Sequence, residues 1–157
     1  MALTTGTSGV QTMREILFRA KAINRDPYKS YRTNYKNGDW VYGLITKEYD
    51  ERFKKLPAEM TSTDGVSEIE VDYKTIGQFT GQTDKHGTKI FEGDILQNTS
   101  NGKTAVVQWF SEYSAFMLWC KSENQVYWLY DNDFLNIEVV GNIYNNPELF
   151  GGAEDET

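Results

Sequence analysis

One cysteine, one histidine and three prolines are all that this 157-residue chain holds of those types, and each scarcity excludes something. The lone Cys120 forms no internal disulfide, so the fold does not rest on a cross-link. Set between Trp119 and Lys121, it reads as a small buried hydrophobe in a cytoplasmic, reducing setting. With His86 the only histidine, zinc spacings are absent. A Ser-His-Asp arrangement would have to be built on the turn Asp84-Lys-His-Gly87, where no nucleophile has a recognisable context. No apolar window approaches the roughly 18 to 20 residues of a membrane helix, and the start of the chain lacks a charged segment followed by an apolar one. The expectation is a soluble protein without a membrane partner. Calcium loops are missing as well. Residues 81–89 place five residues between two glycines and lead into a strand, so they are not a phosphate-binding loop. No enzyme, cofactor or metal is expected.

Positive charge is scarce overall, with a net charge of −7, but it is not scarce everywhere. Residues 14–36 carry seven basic side chains against two acidic, a local +5, whereas residues 37–157 carry nine basic against 21 acidic, a local −12. The chain is a basic arm on an acidic body. That polarity steers the arm toward a polyanion or toward the acidic body of a second copy.

What is abundant is β-structure signal. Residues 1–12 read as a disordered leader and 151–157 as a disordered acidic tail. Residues 14–22 alternate, with Ile16, Phe18 and Ala20 on one face and Leu17 and Arg19 on the other, and predict a short strand. Asn37-Gly38 is a hairpin signal leading into a second strand over 40–45, antiparallel to the first across a long loop. The spacing of Tyr49, Phe53 and Leu56 allows one short helix over 47–56, residues 61–65 a loop, and residues 66–79 a third strand. From Ile90 a meander follows: strands over 91–97, 104–110, 115–120, 126–130 and 137–144, at the close spacing of a small barrel. The expected architecture is mostly β. An antiparallel N-terminal strand unit over 13–79, carrying the basic insert, packs on a barrel over 80–150.

Three constellations merit weighing. Glu92 and Asp94, two apart on an expected strand, place two carboxylates on one face, but with no third ligand they read as structural, Gly93 relieving a bend and Asp94 accepting backbone N–H groups. Nine aromatic rings crowd residues 109–134, more than one face of a small barrel can bury. Trp109 and Trp119 fall near the expected core, whereas Tyr127 and Trp128 cannot both point inward. Outward rings mark a partner surface or are covered by the N-terminal strands. In residues 25–36, Tyr28, Tyr31 and Tyr35 alternate with Lys29, Arg32 and Lys36. That mixture of stacking faces and cations suits single-stranded nucleic acid, or belongs to a loop docked on the body.

The motifs Arg14-Glu-Ile-Leu-Phe-Arg-Ala20, Trp40-Val-Tyr-Gly43, Thr75-Ile-Gly-Gln-Phe-Thr-Gly81, the run from Asp84 to Ile95, Val106-Val-Gln-Trp109 and Val140-Gly-Asn-Ile-Tyr-Asn-Asn-Pro-Glu-Leu149 stand in one order along the chain. With them the chain resembles the YopX family of phage and prophage proteins. The resemblance implies a mostly β fold with an SH3-like C-terminal roll, a bacterial or phage origin, and no catalytic residues to carry over. The long basic insert after Ala20 and residues 47–64 depart from the family pattern. The function expected is that of a non-enzymatic accessory protein acting through protein–protein contacts with itself or with a host or phage protein. It is expected to be a homo-oligomer paired through its N-terminal strands; the alternative is a nucleic-acid-binding module using Tyr28, Lys29, Tyr31, Arg32, Tyr35 and Lys36.

Overall fold

The computed structural model describes residues 13–24, 34–47, 58–130 and 136–150. The leader, the tail, most of the basic insert and nearly all of the expected helix lie outside them. Among the described residues the chain is mostly β and forms two antiparallel sheets. The first holds β1 (Phe18–Lys21), β2 (Trp40–Lys47), β3 (Ala58–Ser62), β4 (Ile69–Val71), β5 (Gly77–Thr83) and β6 (Lys89–Phe91), in the order β4-β3-β2-β1-β5-β6. The second holds β7 (Asp94–Asn98), β8 (Thr104–Phe110), β9 (Ala115–Cys120), β10 (Gln125–Trp128) and β11 (Ile137–Asn142), in the order β10-β9-β8-β7-β11.

The expected pairing of the first two strands holds, with Phe18 opposite Gly43 and Lys21 opposite Trp40. Strand β1 is paired on both edges, by β2 and β5, and its side chains are packed on both faces. Ala20 and Phe18 join the first core, built on Val41, Met60 and Val71, while Leu17 packs with Phe79 and Phe91 on the other face. Arg19 shares that second face and is buried there. The second core gathers Ile90, Leu96, Ala105, Val107, Leu118, Cys120 and Ile137. Cys120 is buried as a small hydrophobe should be.

Two expected strands are broken, one by a side-chain cap and one by a glycine turn. Residues 66–79 are not continuous: the Asp72 carboxylate accepts from the Lys74 N–H, and Tyr73–Thr75 form a 3-10 turn between β4 and β5. Thr75 fixes that turn by accepting from the Lys21 N–H and donating to the Asp72 carbonyl, each at 2.8 Å. Residues 91–97 divide at Gly93, whose φ of +87° only glycine adopts without strain. The chain changes sheet at this point. Strand β3 follows the expected helix and runs into the expected loop, where no strand was expected, and is held by neighbours on both sides.

The expected barrel closure is also different. Among the described residues, β10 and β11 stand at opposite edges of the second sheet and no ladder joins them. A side chain covers the outer edge of β11 instead. The buried Asp84, in the turn between β5 and β6, accepts from the His86 and Thr88 N–H groups with Oδ1 and from the Val139 N–H with Oδ2. Lys85 N–H adds a bond to the Ile137 carbonyl at 3.1 Å. The β5–β6 hairpin of the first sheet is thereby clasped onto the last strand of the second. Burial alone would raise the Asp84 pKa, but the three backbone N–H groups and the neighbouring His86 reverse it and hold the carboxyl below its ordinary value.

Candidate functional site

Of the six insert residues, Tyr28, Lys29, Tyr31 and Arg32 lie outside the described residues. Tyr35 packs its ring against the first core and donates its hydroxyl to Asp64 at 3.3 Å. Lys36 is exposed, and its backbone N–H donates to Asp39 at 2.8 Å. Tyr35 therefore spends its ring on the body, next to an acidic side chain, while Lys36 keeps its ammonium in solvent.

The aromatic rings of the second sheet collect at one end of it. Strands β8 and β9 pair Trp109 with Phe116 and Val107 with Leu118, so Trp109 lies on the face of the second core but past its edge. It is 50 % exposed, contrary to the core position expected for it. The reason is register: Trp109 falls next to the turn at 111–114, where the sheet ends and nothing among the described residues roofs the ring. Its neighbour Phe116 meets it edge-on at 5.1 Å between centroids. On the opposite face Trp128 pairs with Met117, contacts Tyr113 edge-on at 5.8 Å and stacks on Tyr130 at 5.9 Å, 17° from parallel. Tyr113 and Tyr130 are 54 % and 75 % exposed. Tyr127, one residue before Trp128, turns the other way, packs on the second core and bonds Glu123. The period of two thus sends one ring inward and the next outward.

The seam between the sheets has the opposite character. Arg19 Nη2 donates to Asp94 Oδ1 at 2.5 Å, and both side chains are almost wholly buried. The guanidinium lies over the rings of Trp40 and Phe91, with its central carbon 4.6 and 4.9 Å from their centroids. Asp94 Oδ2 accepts from the Phe91 N–H at 2.8 Å, so the carboxylate takes backbone N–H as expected. It does not share a strand face with Glu92, because the turn at Gly93 separates them. Burial pushes the Asp94 carboxyl up, and the Arg19 charge and the Phe91 N–H only partly pull it back. Removing one member of such a buried pair costs about 3 to 5 kcal/mol, since the other is left uncompensated. Beside this pair opens a cavity of about 570 Å³ between β1, β2 and β11. An ion pair of Lys89 with Glu15 lies at its mouth, both side chains about half exposed.

The groups that catalysis would draw on are dispersed. His86 faces Glu138 at 3.3 Å in an exposed turn, and Lys85 bonds the same carboxylate at 3.0 Å. Cys120 is buried against Ser122. Among the described residues no three His, Cys, Asp or Glu side chains cluster to hold a metal ion, and no helix is long and apolar enough to cross a membrane.

The chain is similar in structure to protein EF1440 from Enterococcus faecalis, known from a crystal structure. The TM-score is 0.46 at 22% identity, over 87% of this chain and 98% of that one. Comparison with curated proteins gives no match. The family model described as YopX protein matches residues 21–151, which include β2 to β11 and, of β1, its last residue, Lys21. On that match, the chain belongs to the YopX family.

Proposed function

We propose that this chain is a non-enzymatic accessory protein of phage or prophage origin, working in the cytoplasm of a bacterial host through protein–protein contacts and self-associating as a homo-oligomer. The observation that carries the reading is the aromatic edge, where Trp109 on one face and Tyr113, Trp128 and Tyr130 on the other touch neighbouring rings while remaining open to solvent. Clustered exposed aromatics are enriched at protein interfaces, whereas single exposed apolar residues are ordinary surface. The exposed large apolar side chains of the N-terminal sheet region, Ile16, Tyr42, Leu44 and Tyr73, include two aromatic rings against four at the edge. Opposite charge on the arm and the body supports a second copy as partner. We read the second sheet, with the β5–β6 hairpin clasped across it, as an SH3-like roll.

Light scattering on the full chain at tens of micromolar tests this, and an oligomer is expected. A monomer both at about 0.05 M salt and at about 0.5 M, where the screening length falls well below 10 Å, contradicts it. The alternative, single-stranded nucleic acid bound through residues 25–36, draws support from composition: three tyrosines interleaved with three cations. Gel shift with single-stranded oligonucleotides at about 0.05 M salt separates the two, because phosphate contacts are strongest there.

A further inference from the structure

We propose that Tyr113, Trp128 and Tyr130 form a cation-receiving face, and that its occupant is the basic stretch 25–36 of a second copy. The inference rests on the self-association proposed above and assigns it two unlike surfaces. The three rings stand together on one face at the end of the second sheet, with Trp128 edge-on to Tyr113 at 5.8 Å and stacked on Tyr130 at 5.9 Å. Tyr113 and Tyr130 are more than half exposed.

What this face lacks is a cation. Three other rings that reach solvent carry one of the chain's own: Lys21 lies 5.5 Å from the centroid of Trp40, Lys103 5.7 Å from that of Tyr127 and Lys74 6.0 Å from that of Tyr73. Among the described residues no cation lies over Tyr113, Trp128 or Tyr130. The surrounding charge favours one, because Lys121 is the only basic residue after Lys103, against nine acidic ones, and the exposed Glu112 stands next to Tyr113 in the chain. The face of a ring is the negative pole of its quadrupole, so a guanidinium or ammonium laid on it beside carboxylates is attracted by both. Residues 25–36 supply that charge, with Arg25, Lys29, Arg32 and Lys36 against Asp26 alone, a local +3. Tyr35 holds the base of the stretch on the first core, and Lys36 keeps its ammonium in solvent. Arm and rings are different surfaces, so the contact is heterologous and every copy offers one of each.

The experiment follows sedimentation of three full-length proteins at tens of micromolar and about 0.05 M salt: the wild type, an arm variant (Arg25→Gln, Lys29→Gln, Arg32→Gln) and a ring variant (Tyr113→Ser, Tyr130→Ser). Each variant alone is expected to associate at least about tenfold more weakly than the wild type. Their equimolar mixture is expected to regain a heterodimer, since the arm variant still offers its rings and the ring variant its arm; that rescue also shows both to be folded. A second measurement needs no variant. A synthetic peptide of residues 25–36 is expected to shift the Trp128 indole N–H resonance of the wild type and to dissociate the oligomer, and the same peptide with Gln for its four cations to do neither. The arm contact alone is overturned if the wild type associates and either variant associates equally well, if the mixture regains nothing, or if the peptide leaves Trp128 unmoved. A monomeric wild type overturns the self-association reading, and this contact with it.

Discussion

The seam and the aromatic edge reverse the usual distribution of polarity. At the seam an arginine and an aspartate are buried between two sheets, while at the far end of β8, β9 and β10 two tryptophans and two tyrosines face solvent. The difference teaches that burial here follows topology rather than hydrophobicity. Strand β1 is covered on both faces, so Arg19 is buried whatever its polarity and needs Asp94. The end of the second sheet lacks a roof among the described residues, so its rings stay out. A buried charge pair makes each member depend on the other, and the exposed rings are the surface we propose for a partner.

The largest effect sharpens the seam half of the comparison. Asp94→Ala leaves the Arg19 cation buried without its counter-charge and is expected to destabilise the protein by about 3 to 5 kcal/mol in urea unfolding. A loss below about 1 kcal/mol, the size of a surface pair, would break the contrast. Next comes the Asp84 clasp. Asp84→Ala frees three backbone N–H groups from a charged acceptor and is expected to cost about 3 kcal/mol.

The two aspartates also differ in sign with pH. The Asp84 carboxyl is held below its ordinary value, so its contribution is full above the unfolded pKa and is lost as pH falls through the folded one. The Asp94 carboxyl is raised, so the native state holds the proton more tightly, and this group favours folding more as pH drops between the unfolded and folded values. Urea midpoints from neutral to acid pH are therefore expected to fall less steeply in Asp84→Asn than in the wild type. An unchanged slope would show that the clasp carries no linkage.

Gly93→Val follows, with an expected loss of more than about 1 kcal/mol. Its φ is +87°, and an added Cβ would stand 3.1 Å from the Tyr144 ring. A wild-type melting curve would mean that the sheet change does not depend on that turn. The smallest effect belongs to the edge. Trp109→Ser with Tyr130→Ser is expected to change monomer stability by only about 0.5 kcal/mol and to abolish association, a pairing that a core tryptophan cannot produce.

Much of the second sheet was legible in the sequence because its strands are short, regular and separated by turn residues: 104–110 and 115–120 fall where alternation places them. The rest was hidden for physical reasons. Arg19 reads as a polar residue on an alternating strand, and nothing local says that the opposite face is also covered. Asp72 ends a strand by accepting from the N–H two residues on, and Gly93 by its positive φ, signals that period counting passes over. Asp84 works through Val139, 55 residues away, which no window sees. Trp109 continues the core pattern of Ala105 and Val107, and only the position of the turn shows that the core has ended. The basic insert, the strongest composition signal, has just Asn34, Tyr35 and Lys36 among the described residues.

We propose the aromatic edge as the place where this chain meets its partner. It is tested most directly by fluorine NMR of the 5-fluorotryptophan-labelled chain, in which the four tryptophans give separate signals, recorded from dilute to tens of micromolar protein. Trp109 and Trp128 are expected to shift or broaden with concentration while Trp40, at the seam, holds its position. Movement of Trp40 with a silent Trp109 and Trp128 would contradict it, as would four signals that ignore concentration.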